Sequence, residues 1–132
     1  MSTSDHERAL LRWLWAQDLP DRVVLLCRHL AGVRVPRRGV GVRLEGCVDE
    51  VGTGLPAQLL ALGVPHLSVV SCDLHPEECT TLVRRLQELF PDQVDVLPAT
   101  RASRWARHGT VVDIAAVPLP RRLVLGMGLR DR

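Results

Sequence analysis

Two apolar runs limit most tightly what this chain can fold into: DRVVLLCRHL at residues 21–30 and PHLSVVSC at residues 65–72. Neither alternates apolar with polar residues as a strand with one wet face does. Both are rich in valine and leucine, as expected of strands covered on both faces. Segments of helical period separate and follow them. DEVGTGLPAQLLALG, residues 49–63, reads as a turn and a helix, with Thr53 as a cap and Gly63 as a stop. PEECTTLVRRLQELF, residues 76–90, is the clearest helix. Pro76 suits its first position, Glu77 and Glu78 suit the positive end of its dipole, and Arg84 and Arg85 lie toward the other end. VGVRLEGC at 40–47 and QVDVLPA at 93–99 supply two more strands. Strands alternating with helices build βαβ units and a largely parallel sheet.

Ahead of these units, STSDHERALLRWLWAQD at residues 2–18 predicts a helix. Ser4 and Glu7 stand at capping-box spacing, and Leu10, Trp13, Leu14 and Gln17 fall on one face. RASRWARH at 101–108 reads as a short helix or turn, and a strand is expected at residues 111–117. The expected fold is therefore an α/β single domain: a largely parallel four- to five-stranded sheet flanked by helices, with an extra N-terminal helix. Residues 1–20 form that helix, 22–99 a cysteine-bearing α/β core and 100–132 a basic C-terminal segment. A chain of 132 residues is long enough to bury about two thirds of its unfolded surface in one core.

Charge says little about partners. All 17 basic residues are arginine, and lysine, asparagine and tyrosine are absent, which reads as coding bias rather than as a nucleic-acid footprint. Residues 97–132 nevertheless hold seven arginines against Asp113 and Asp131, so this end is suited to an acidic partner or to solvent. No apolar run approaches the 18 or so residues of a membrane span, and the first residues lack the pattern of a secretory signal. A cytoplasmic protein with neither nucleic acid nor membrane as partner is expected. Thiols stay reduced there, and cysteines serve more often as ligands or catalysts than as bridges.

The four cysteines are Cys27, Cys47, Cys72 and Cys79. The first three lie at or near the carboxyl ends of predicted strands, where open α/β sheets form their sites. Cys79 lies in the first turn of the helix after Cys72, a place that favours thiolate. All four can meet at one edge of the sheet, and tetrahedral sulfur ligation points to zinc or iron–sulfur. The close C-x2-C pairs of zinc ribbons are missing. His29 and His75 are near enough in sequence to join as ligands, while Asp73, Glu77 and Glu78 suit a helix start on electrostatic grounds alone. Nucleophile-elbow, phosphate-loop and dinucleotide fingerprints are absent.

Three stretches together resemble the hydrogenase iron-sulfur (delta) subunit family, whose members link a nickel-iron hydrogenase to heterodisulfide reductase. They are LLCRHLAG, RLEGCVDEVGTGLPAQLLALGV and SVVSCDLHPEEC, within residues 23–98. The resemblance implies an α/β domain with a 2Fe-2S cluster held by Cys27, Cys47, Cys72 and Cys79. It further implies an electron carrier between hydrogenase-like and flavoprotein or heterodisulfide-reductase-like partners, sooner than an enzyme in its own right. Arg34, Arg37 and Arg38, close in sequence to Cys27, are expected to line the docking surface. Two rival readings are a thiol–disulfide oxidoreductase using Cys72 and Cys79, and a structural or adaptor subunit with zinc or no metal. The spacing of Cys72 and Cys79 is wider than the C-x-x-C unit of such oxidoreductases.

Overall fold

The computed structural model describes residues 3–30, 33–98, 102 and 109–117. Five strands form one sheet: β1 (Arg22–Leu26), β2 (Gly39–Arg43), β3 (Leu67–Val70), β4 (Val94–Leu97) and β5 (Thr110–Asp113). Their spatial order is β4-β3-β1-β2-β5, and every pairing is parallel. The helices are α1 (Thr3–Trp15), the single turn α2 (Val48–Val51), α3 (Gly54–Leu62) and α4 (Pro76–Leu89). The expected α/β single domain with an N-terminal helix is what the chain forms.

The apolar runs behave as their composition requires. β1 is the central strand, and Val23, Val24, Leu25 and Leu26 are all fully buried. Strand β3 is buried throughout. The steps β2 to β3 and β3 to β4 run in the same direction across the sheet, so right-handed crossovers put α3 and α4 on one face. Helix α1 packs against α3, and α2 packs against α4. On the opposite face the β1–β2 connection lays Val35 against Gly41, where a methyl group would meet Val35 Cγ1 at 2.8 Å. Register and pleat also place Arg22, Ser68 and Asp95 on this face, in a hydrogen-bonded chain. Arg22 Nη1 donates to Ser68 Oγ (2.7 Å), which donates to Asp95 Oδ1 (2.6 Å), so the fully buried Ser68 hydroxyl is satisfied.

Several local expectations shift. Helix α1 already includes Ser4, so that residue lies inside the helix rather than capping it. Leu10 and Leu14 are fully buried and Trp13 packs against the core, but Gln17 lies beyond the helix end and is exposed. Thr53 occupies the N-cap of α3 without a side-chain cap bond, whereas Gly63 ends that helix as expected, at φ 118°. The last strand stops at Asp113, whose Oδ1 accepts from Ala115 N at 2.9 Å and starts a 3-10 turn over Ile114–Ala116. The expected helix at 101–108 falls outside the described residues except for Ala102.

Gly109 shows how closely the chain runs at the amino end of β5. Its N–H donates to Val35 O at 3.0 Å, and a methyl group here would press on Gly39 O and lie 2.6 Å from Pro36 O. Both obstacles are backbone, so no side chain can swing aside. Gly109→Ala should therefore cost about 1–3 kcal/mol in a urea melt; an unchanged midpoint would show that the strand start yields freely.

Candidate metal centre

Topology fixes where a site can form. From β1 the chain crosses to β2 on one side, and from β3 it crosses to β4 on the other, so the direction of winding reverses between the neighbours β1 and β3. Loops then diverge above the carboxyl ends of these two strands and leave a crevice. Cys27 follows β1 directly, and Cys72 follows β3 by two residues. Both sit at this point of reversal.

Cys47 is brought in from β2 by the backbone. Leu44 N–H donates to Leu26 O at 2.9 Å, and Arg28 N–H donates to Gly46 O at 3.1 Å, which ties the loop after β1 to the loop after β2. Cys47 then serves as the N-cap residue of α2, in extended conformation. Val48 N–H, at the start of that turn, donates to Cys27 Sγ at 3.4 Å. The outcome is a compact set: the Sγ atoms of Cys27, Cys47 and Cys72 all lie within 4.8 Å of one another. Cys27 and Cys72 are buried and Cys47 is partly exposed.

Cys79 stands beside this set rather than in it. It is 1 % exposed in the first turn of α4, and its thiol meets that of Cys27. None of the four cysteines is in a disulfide. His29, on the turn closed by Leu30 N–H donating to Cys27 O at 3.1 Å, lies with Nε2 3.4 Å from Cys72 Sγ. His75 caps α4 without a side-chain bond and is not part of the thiol set. The cysteines expected at one edge of the sheet do lie together there, with three sulfurs mutually within 4.8 Å and Cys79 beside Cys27, a distinction their spacing in the sequence does not make. The sequence also ranks His29 no higher than His75, because only the turn after β1 aims His29 back at Cys72.

Comparison with protein families, with curated proteins and with solved structures finds no match to this chain. The chemistry of the site rests on its own geometry.

A contact with the Cys79 thiol, followed by burial, pushes the Cys27 pKa far above the ordinary thiol range. Cys72 adds to the rise and the Val48 N–H opposes it in part. Cys27 is thus a neutral thiol in the metal-free protein, and a metal that binds there must displace its proton. Below the ordinary thiol pKa both folded and unfolded chains carry the proton, and stability is unaffected. Above it the unfolded chain ionises while the fold does not, so stability falls with rising pH. Metal-free protein should lose up to about 1.4 kcal/mol per pH unit above roughly pH 8.5 from this group, seen in urea melts. A flat profile up to pH 10 would mean that Cys27 ionises freely in the fold.

Cys47 also forms part of the wall of an open cleft of about 320 Å³, with Glu7, Leu44, Glu45, Gly46, Glu50 and Ile114. His6 Nδ1 pairs with Glu45 Oε1 at its rim. The surroundings on this side of the thiols are acidic.

Two of the arginines expected near the centre, Arg37 and Arg38, lie elsewhere. They line a different cleft with Asp21, Gly39 and Thr110, at the amino ends of β1, β2 and β5. Arg38 Nη1 is 3.9 Å from Asp21 Oδ2 there. A strand of five residues separates them from the cysteine edge by roughly 13 Å. The β1–β2 connection starts at one end of the sheet and must return to the other to begin a parallel strand, so nearness in sequence to Cys27 does not become nearness in space.

Proposed function

We propose that this chain is a small metal-centre protein that passes single electrons between larger redox partners, its centre being an iron–sulfur cluster held by Cys27, Cys47, Cys72 and Cys79. The observation that carries the reading is the meeting of thiols from three separate strand ends at the reversal point of the sheet. Thiolate donors select soft metals and iron–sulfur clusters over magnesium or calcium. The resemblance to the hydrogenase iron-sulfur (delta) subunit family supports the 2Fe-2S form, with hydrogenase-like and flavoprotein or heterodisulfide-reductase-like partners and a cytoplasmic setting. When bound, such a cluster supplies a one-electron couple. The protein's share is ligation, burial of Cys27 and Cys72, and the Val48 N–H bond to Cys27 sulfur, all of which tune a potential.

A second reading, a single zinc ion in a structural or adaptor subunit, is favoured by one observation. Two thiolates on one tetrahedral ion lie about 3.8 Å apart, given metal–sulfur bonds near 2.3 Å. Three sulfurs mutually within 4.8 Å need little movement to reach that spacing. Thiol–disulfide exchange through Cys72 and Cys79 has less behind it, since the two are spaced more widely than the C-x-x-C pair that places both sulfurs in one helical turn.

Iron, zinc and acid-labile sulfide analysis of anaerobically purified protein, with absorption spectra before and after dithionite, separates these readings. Iron and sulfide in equal amounts with a bleachable visible spectrum support the carrier. Zinc without colour supports the structural site. A metal-free protein that takes up no metal would overturn both.

A further inference from the structure

We propose that His29 is the fourth protein ligand when the centre holds a single divalent ion, completing a set with Cys27, Cys47 and Cys72, and that Cys79 contacts Cys27 from outside this set. The inference rests on the reading that these thiols hold metal, in its single-ion form. Its first support is distance. A metal–nitrogen bond of 2.0–2.1 Å and a metal–sulfur bond of 2.3 Å at the tetrahedral angle place the two donors about 3.6 Å apart. His29 Nε2 and Cys72 Sγ are separated by 3.4 Å.

Freedom to move is the second support. His29 lies outside the set of ligand atoms mutually within 4.8 Å, but it is exposed at the tip of the turn between Cys27 and Leu30, so its ring has room to swing toward the other two sulfurs. Cys79 is buried and fixed in the first turn of α4. It already meets the Cys27 thiol, and its burial leaves its side chain less room to turn toward the other two sulfurs than His29 has.

Charge is the third. Four thiolates around a divalent ion leave two net negative charges, whereas three thiolates and a neutral imidazole leave one. Excess charge in a buried site is costly, and the cleft that Cys47 helps to line already carries Glu7 and Glu50, with Glu45 paired to His6. A neutral fourth donor relieves that repulsion. It also puts an imidazole between the buried sulfurs and solvent, where a ligand can exchange.

The test uses the full chain, uniformly 15N-labelled and loaded with 113Cd(II), which favours the same tetrahedral sulfur and nitrogen donors as zinc. The expected result is scalar coupling from cadmium to the His29 ring nitrogen and to the β-protons of Cys27, Cys47 and Cys72. In parallel, His29→Ala should weaken cadmium binding by more than about a hundredfold, beyond the loss typical of an outer-shell partner. Cys79→Ser should stay within about tenfold of wild type. Coupling to all four cysteines and none to His29, with His29→Ala binding as tightly as wild type, would overturn the assignment and make Cys79 the fourth ligand. The coupling is read on the unmutated chain, so poor folding of Cys79→Ser does not affect it. Wild-type protein that binds no cadmium would instead overturn the metal-centre reading itself.

Discussion

Cys27→Ser should abolish metal binding outright. Cys27 is the hub of the centre: its sulfur belongs to the three-thiol set, touches the Cys79 thiol and accepts the Val48 N–H. A serine hydroxyl is a harder and far less acidic donor than a thiol, so a soft ion loses both its bond and its match. Cys47→Ser and Cys72→Ser should also lose the metal, since each removes one corner of the same set. The check is metal content after anaerobic purification, together with cobalt(II) titration followed through its sulfur charge-transfer absorption. Retention of full metal and spectrum by all three serine variants would sink the centre. A different pattern distinguishes mere packing. If these are ordinary buried thiols, Cys27→Ser costs about 1–3 kcal/mol for a poorly partnered hydroxyl and changes nothing else.

Leu25→Ala should give the largest loss of stability of any single truncation named here, about 2–5 kcal/mol. Leu25 is fully buried on the central strand, paired with Val42 on one side and Val69 on the other. Neighbours on both flanks are held by backbone ladders, so the cavity cannot collapse easily. Val111, on the edge strand β5 and 41 % exposed, provides the contrast. Val111→Ala should cost under about 1 kcal/mol, because little apolar surface returns to water. Equal shifts in the two urea midpoints would contradict the placement of β1 at the centre of the sheet.

Much of the fold was legible because the periodicities are unmixed. VVLL and LSVV have no polar residue that would mark a wet face except Ser68, and that hydroxyl is satisfied by Arg22 and Asp95. Helix α4 begins at the expected proline and α3 stops at the expected glycine, because φ near −65° at helix entry and positive φ at exit are local requirements. The expected cap at Ser4 was less secure, since α1 already includes that residue. A capping signature gives one local preference, and a helix can extend through it.

The sequence by itself determined that four thiols lie near strand ends and helix starts, because that depends only on the order of residues along each element. Strand order was decided by tertiary structure alone. β5 returns to pair with β2, and β1 and β3 become neighbours although 40 residues separate the end of one from the start of the other. That order turns a list of cysteines into a compact set of three with Cys79 beside it. It also carries Arg37 and Arg38 to the far end of the sheet and sets His29 against Cys72. The physical reason is that pleat and helical period are fixed by neighbours in the chain, whereas contacts between loops depend on which strands the buried core brings together.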